Sequence, residues 1–328
     1  MGNDSKEHVV LSGMRPTGVI HLGHYVGVIK NWLELQNQHK CYFFLADWHA
    51  LTSYYQDPKI IRDSRYDYVK AWLASGIDPK KAVIYTQSAI PEVLMLFELF
   101  LALTPPGWAD RSPSWKDQQQ SPKKELDNLG FYTYPILQTA DIAMVNGDLV
   151  PVGEDQVTHV EIAREIIRKV NRLYGTNYPE PQALLTKVPK LLGFDGKKMS
   201  SSRNNYITLR ETEKSLQKKV NKMVTDDKRL GIEFPGNPDN CSVFDYHKIF
   251  SDAETVLRVD KGCRGAKLGC GECKQILGNS MKAEFLPISE KIDKITNQDC
   301  DEVLEEGNRK ARILAKEVWE KIRKKIYF

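Results

Sequence analysis

A doubly wound α/β sheet followed by a helical second part is the fold class that the sequence predicts. Short apolar runs alternate with segments of helical spacing between residues 8 and 88. Such alternation builds a parallel sheet with helices on both faces. Beyond residue 204 the apolar positions recur at helical spacing on otherwise charged faces. Hydrophobic residues make up 41% and charged residues 27% of the 328, the balance of an ordinary soluble globular protein.

The elements follow in chain order. "HVVLSG" (8–13) is an apolar run stopped by glycine, a buried strand. "RPTGVIHLGH" is a turn marked by proline and glycine, and Val26, Ile29, Trp32 and Leu33 then recur at helical spacing through residue 36. "CYFFLADWHA" is a second apolar strand running into a polar end, Arg62 to Ser75 is helical, and "AVIYTQS" (82–88) is a third strand. Open parallel sheets bind ligands outside the carboxyl ends of their strands. Pro91 occupies the first position of a helix. The following "VLMLFELFLALT" is apolar nearly all round, which suits core, with a subunit interface as the alternative. Residues 105–130 read as a polar, loop-rich insertion. A helix carries Val157, Val160, Ile167, Val170 and Tyr174 on one side and ends at Gly175. "LLGFDGKKMSSSRNNYITL" is a glycine- and serine-rich loop, and the last element, 301–326, places Ala311, Leu314, Val318, Ile322 and Ile326 at helical spacing.

The net charge of +4 permits an anionic partner without demanding one. "MGNDSKEHVV" lacks an apolar signal core, Lys6 stands where myristoylation needs Ser or Thr, and no run of 18 apolar residues occurs. The expected setting is cytoplasmic, without a membrane, where clustered thiols are more often metal ligands than disulfides.

Two stretches carry phosphate chemistry. "HLGH" (21–24) stands where the first strand turns into the first helix, and helix N-termini receive anions. Gly23 allows close approach, while His21 and His24 supply donors to a phosphate oxygen. "KKMSSS" (197–202) offers Lys198, with Lys197 beside it, and the hydroxyls of Ser200, Ser201 and Ser202 on a loop. In this order and setting the pair resembles the signatures of class I aminoacyl-tRNA synthetases, with Ser201 where a second lysine is usual. "SGMRPTG", "YPILQTADI" (134–142) and "VPVGEDQVTHVEIAREI" (150–166) resemble the tryptophanyl-tRNA synthetase family, and the likeness runs from about residue 9 to the C-terminal helix.

That resemblance implies a Rossmann-like catalytic domain over residues 1–203 and a helical anticodon-binding domain over 204–328, with the last helix able to pack back on the first domain. It implies ATP and L-tryptophan as substrates, Mg²⁺ on the phosphates, tRNA(Trp) as partner and a homodimer. Asp141 matches the acceptor of the indole N–H; Tyr134 and Gln156 match positions that hold the amino group. Gln138 lies beside them, where many relatives carry methionine. Gly153, Glu154 and Asp155 match the segment that meets the ribose. Arg15, Pro16 and Thr17 match a turn against ATP, with Arg15 in place of a common glutamine. Gly23 and His24 belong to the same ATP site, which Val188 and Met199 line at the adenine. His21, His24 and Lys198 match the catalytic positions.

Four cysteines remain, spaced Cys241-x21-Cys263-x6-Cys270-x2-Cys273. Four thiolates close a zinc site or hold an iron–sulfur cluster. Only one pair is a short knuckle, which leans towards [4Fe–4S]; the resemblance points to the bacterial subset of the family that carries such a cluster. Cys41 and Cys300 fall outside the pattern. The competing readings are a tyrosyl-tRNA synthetase, a small-molecule nucleotidyltransferase, and an iron–sulfur RNA-binding protein derived from a synthetase.

Overall fold

Strands β1 (Val9–Met14), β2 (Lys40–Leu45), β3 (Ala82–Thr86), β4 (Leu149–Val152) and β5 (Gln182–Leu185) pair in the order β3-β2-β1-β4-β5, every pair parallel. The computed structural model describes residues 7–120, 126–185, 191–199, 203–226 and 228–327. The chain runs outward from β1 to β3, then returns to β4 on the other side of β1. That reversal opens a crevice between β1 and β4 at the carboxyl ends of the strands, where doubly wound sheets bind ligands.

The sheet is apolar on both faces because helices cover both. Successive side chains of β2 alternate between the two cores: Cys41, Phe43 and Leu45 face one, Tyr42 and Phe44 the other. The first core takes the helix that follows β1: α1 (Leu22–His24), a π-helical turn (Tyr25–Ile29) and α2 (Lys30–Leu35). It also takes α4 (Lys59–Ser75), which follows α3 (Asp47–Tyr54). Trp32 stacks on Phe43 at 4.2 Å, with Trp72 edge-on to it.

The second core packs α5 (Glu92–Leu103), α8 (Leu129–Met144) and α9 (Val157–Tyr174) on the sheet. On α5, Val93, Leu96 and Phe100 are buried while Leu94 and Met95 are exposed, so the core reading holds for one face. Gly175 ends α9 with φ +60, the left-handed conformation that glycine adopts freely.

The helical second part comprises α10 (Glu213–Asn221), α11 (Ser242–Phe250), α12 (Ala253–Arg264), α13 (Cys270–Lys294) and α14 (Asn297–Ile326). Its Leu216, Val243, Leu277 and Phe285 share one apolar cluster with Val10 and Trp32. The last helix returns to the sheet: Ala311, Ala315, Val318 and Ile322 are buried in the second core. It lies so close on edge strand β3 that a methyl on Gly307 would overlap the Ile84 carbonyl. Glycine there lets helix backbone rest on strand backbone, and the edge of the sheet is covered.

Several boundaries differ from the sequence reading. The second apolar run stops being strand at Leu45, and its polar end opens α3. Pro91 is the N-cap of α5 rather than its first residue. The insertion contains α6 (Pro106–Ala109) and α7 (Pro113–Gln120). The last helix starts at Asn297, where Thr296 and Asp299 form a reciprocal capping box. β4 and β5 are four residues each, too short to leave a periodic signal. No helix among the described residues is long and apolar enough to cross a membrane.

Candidate active site

A cavity of about 550 Å³ opens at the switch point, lined by residues from the ends of β1 and β4 and by α3 and α8. Gly13, the penultimate residue of β1, forms part of its wall, where a Cβ would sit 2.5 Å from the Phe44 ring. Tyr134, Gln138 and Asp141 lie four and three residues apart on α8 and share one face, and all three line the cavity.

Asp141 is fully buried. Its Oδ2 lies 2.8 Å from His49 Nε2, and the Gln87 amide donates to both carboxylate oxygens at 2.8 Å. Gln87 is itself fixed: its Oε1 accepts from the backbone N–H groups of Trp48 and His49 at the start of α3. Burial raises the Asp141 pKa, and the bonds from His49 and Gln87 oppose that rise. An ionised carboxylate offers about four lone-pair positions, and three are taken here. By that count one acceptor position remains on a carboxylate that lines the cavity. Neither His49 nor Gln87 was expected from the sequence. The available signal was their place, polar residues just past the ends of β2 and β3.

On the other side, Tyr134 Oη lies 3.1 Å from Ser114 Oγ and within 3.1 Å of both ring nitrogens of His159. His159 is fully buried between Gln156 Oε1 at Nδ1 (2.7 Å) and Ser112 Oγ at Nε2 (2.9 Å). Burial holds its pKa down to about 4, so the ring is neutral. It donates from Nδ1 and accepts at Nε2. His159 thereby ties Tyr134 to Gln156, a link the sequence reading missed.

At the mouth, Arg15 lines the cavity just after β1, within the field of the Tyr54, Tyr134 and Tyr68 phenols. Part of Arg15 is exposed, yet protein crowds it on most sides, and that desolvation lowers its pKa. A guanidinium keeps its charge nonetheless. Thr17 meets Tyr68, and Pro16 is buried. Gly153 makes room for Asp155, whose carboxylate a Cβ at 153 would crowd at 2.8 Å. Glu154 and Asp155 follow in a turn of 3₁₀-helix that leads into α9.

The two histidines of "HLGH" cap their own helix. His21 Nδ1 accepts from Gly23 N–H at 3.1 Å, and His24 Nδ1 accepts from His21 N–H at 3.2 Å. Their rings stack at 4.0 Å. Burial pushes His21 down to about 4; burial and the neighbouring His21 push His24 down to about 3. Both rings are therefore neutral at pH 7, with Nδ1 accepting and the proton on Nε2. They are hydrogen-bond donors rather than cations. Tyr206 stacks on His21 at 5.8 Å, and Leu22 N–H bonds the Ile207 carbonyl at 2.9 Å. Met199 is buried with its sulfur 3.7 Å from a Cβ position on Gly23, which sets the lysine loop against this helix. Asn205 Nδ2 donates to the Lys198 carbonyl at 3.1 Å, while the Lys198 side chain is exposed. Val188, Ser200, Ser201 and Ser202 lie outside the described residues.

The four spaced cysteines are free thiols at helix ends in the second part: Cys241 caps α11, Cys263 ends α12, and Cys270 and Cys273 open α13. Arg229 Nη1 stands 4.0 Å from Cys263 Sγ and 3.8 Å from Cys270 Sγ. Burial raises Cys273 to about 12, and the nearness of Cys241, Cys263 and Cys270 adds to the rise. Among the described residues, no group of three or more His, Cys, Asp or Glu stands ready to hold a single metal ion. Of the nearby cations, Arg264 is paired with Asp239 and Asp260, and Lys274 donates to the Asn221 carbonyl.

Residues 3–285 match the family described as tRNA synthetases class I (W and Y). The chain belongs to this family. It is 43% identical to the tryptophan–tRNA ligase of Thermotoga maritima over 320 residues, 96% of this chain and 98% of that protein. It is 38% identical to the tryptophan–tRNA ligase of Aquifex aeolicus, with 96% and 98% covered. The tryptophanyl-tRNA synthetase of Campylobacter jejuni, solved with ADP and tryptophan, superposes at a TM-score of 0.86. There the identity is 35%, and 98% of this chain and 100% of that chain are covered. The class I fold expected from the sequence is thus the fold of this synthetase chain.

The depressed histidines give the synthetase an acid-side instability. Between an ordinary imidazole value of 6.5 and about 4, the unfolded chain binds protons at His21, His24 and His159 that the folded chain refuses. Stability therefore falls as pH drops through that window. In thermal melts at stepped pH, His159→Gln is expected to give a shallower acid slope than the parent. An identical slope in the two proteins would contradict the burial of a neutral His159.

Proposed function

We propose that the chain is a tryptophan–tRNA ligase, joining L-tryptophan to ATP as tryptophanyl-adenylate and passing it to the 3′ end of tRNA(Trp). The observation that carries this reading is the open acceptor position on buried Asp141. An indole N–H is a donor only, and a fixed carboxylate is its natural complement. A phenol carries a donor at a different reach, which favours tryptophan over tyrosine. Gln138 is the neighbouring pocket contact, and Tyr134 and Gln156, joined through His159, hold the substrate amino group.

The first step needs no protein nucleophile. The tryptophan carboxylate oxygen attacks the α-phosphorus, the bond to the bridging oxygen breaks, and pyrophosphate leaves. A hydroxyl of the tRNA 3′-terminal ribose then attacks the adenylate carbonyl, and AMP leaves. Catalysis is positioning and charge stabilisation. The Nε2–H groups of His21 and His24 donate to phosphate oxygens, and Lys198 and Arg15 supply positive charge. Pro16, Thr17 and Gly23 shape the turn against ATP, Gly153–Asp155 meet the ribose, and Val188 and Met199 the adenine. Ser200, Ser201 and Ser202 complete the loop over the triphosphate. Mg²⁺, when bound on the ATP phosphates, neutralises part of their charge.

Residues 1–203 are read as the catalytic domain and 204–328 as the anticodon-binding domain, with α14 returning to the sheet. Charging of tRNA fits a cytoplasmic setting. We further infer that Cys241, Cys263, Cys270 and Cys273 hold a [4Fe–4S] cluster rather than zinc. What supports it is the spacing with its one short Cys-x2-Cys pair, and the placement of the four thiols at the ends of α11, α12 and α13. The exposed Leu94 and Met95 on α5 support a homodimer through that face. A native mass measurement on anaerobically purified protein is expected to give a dimer with one cluster per chain. Cys270→Ser is expected to lose the cluster's mass. A monomer, or full iron and sulfide in that variant, would overturn the corresponding reading.

Tryptophan-dependent exchange of pyrophosphate into ATP tests the main assignment. His24→Ala or Lys198→Ala is expected to slow exchange by roughly a hundred-fold or more, with little change in tryptophan binding. Unchanged exchange in both, or exchange with tyrosine in place of tryptophan, would overturn it.

A further inference from the structure

An open groove of about 740 Å³ runs between α10 and α13, apart from the active-site cavity. Lys214, Lys218 and Lys222 line it from α10 and Lys282 from α13, against a single acid, Glu213. The three lysines of α10 and its immediate end are four residues apart, so they form one stripe along the helix. All three are exposed, and none has an ion-pair partner among the described residues. Lys282 differs, being held to Glu213 at 3.1 Å.

Helix stability does not explain the stripe. Like charges four residues apart repel. Cations near the end of α10 complement the helix dipole, but Lys214 stands in the first turn, where the dipole disfavours it. The groove floor is firmly built. Gln217 Nε2 donates to the Lys274 carbonyl at 3.3 Å and Lys274 Nζ to the Asn221 carbonyl at 2.9 Å. Gly278 of α13 lies against the Gln217 amide. An unpaired row of cations at one helical turn per charge, carried on a firmly held helix, complements a row of anions fixed on a polymer.

The opposite side of α10 faces the active site. Leu216 and Val220 pack in the core that holds Met199 and Ile207. Lys219 pairs with Glu211 and lies 5.6 Å over the Tyr206 ring, which in turn stacks on His21. A polymer on the stripe is thus one helix away from the "HLGH" histidines.

We propose that the α10–α13 groove binds the sugar–phosphate backbone of RNA, with Lys214, Lys218 and Lys222 each meeting a phosphate. The proposal rests on the tRNA ligase reading and adds a surface to it. Contacts of this kind position the RNA and carry no sequence information. They release counterions, so affinity falls steeply with salt.

The test is the full-length triple variant Lys214→Gln, Lys218→Gln, Lys222→Gln, beside a Lys→Arg triple that keeps the charges. In the Gln triple, tryptophan-dependent ATP–pyrophosphate exchange is expected to stay within about two-fold of the parent. Aminoacylation of a tRNA(Trp) transcript is expected to lose roughly ten-fold or more in kcat/KM, chiefly through KM. The plot of log affinity against log salt is expected to become shallower by roughly two to three. The Arg triple is expected to behave like the parent. Intact exchange with unchanged charging and an unchanged salt slope in the Gln triple would overturn the proposal alone. A parent without tryptophan-dependent exchange would instead overturn the ligase reading. Filter binding of the same transcript by parent and Gln triple would then still decide the surface, equal affinity counting against it.

Discussion

A carboxylate taken out of water must be held by hydrogen bonds, and the candidate site is organised around that requirement at Asp141. Three elements meet to satisfy it. α8 brings the carboxylate, the segment after β3 brings Gln87, and α3 brings His49. Gln87 is the hinge of the arrangement, because its oxygen is held by amides at the start of α3 and only its NH₂ can face Asp141. The ends of two strands, the start of one helix and the last turn of another are thereby fixed against each other. Their shared remainder is one acceptor position at the cavity wall.

The "HLGH" end follows the same economy of local bonds. The paired histidines of "HLGH" use their Nδ1 atoms to cap a helix, so the Nε2–H groups have no partner among the described residues. Neutral donors suit the ATP phosphates proposed for this site, which bring their own charge, since two buried imidazolium ions would have to be kept apart. The cations sit further out, on Arg15 at the mouth and on the exposed loop at Lys198. Positive charge is therefore held where solvent can reach it, and hydrogen-bond direction is held where solvent cannot.

Legibility in the sequence tracked locality. The first three strands, α9 and the amphipathic stripe of α14 were readable because each repeats an apolar residue at its own period. β4 and β5 were not, being four residues long. Residues in contiguous motifs, such as His21, His24, Asp141 and Gln156, could be named as candidates from the sequence, and the cavity gathers Arg15, Tyr134, Gln138, Asp141 and Gln156. His49 and Gln87 were missed because their shared partner Asp141 is 92 and 54 residues away, and the link through His159 because it joins Gln156, three residues off, to Tyr134, 25 residues off. The cysteine spacing was legible as a set. The place of Arg229 beside it was not, because Arg229 stands 34 and 41 residues from the two thiols it approaches.

The central claim is that a fixed acceptor on Asp141 reads a ring N–H. Calorimetric binding of L-tryptophan, compared with its analogue in which sulfur replaces the indole N–H, tests this directly. The ring shape and amino-acid end are retained, and only the donor is removed. The account predicts that the analogue binds weaker by on the order of a hundred-fold or more, because the buried carboxylate is left with an unmet acceptor position. Equal affinity for the two ligands would contradict it.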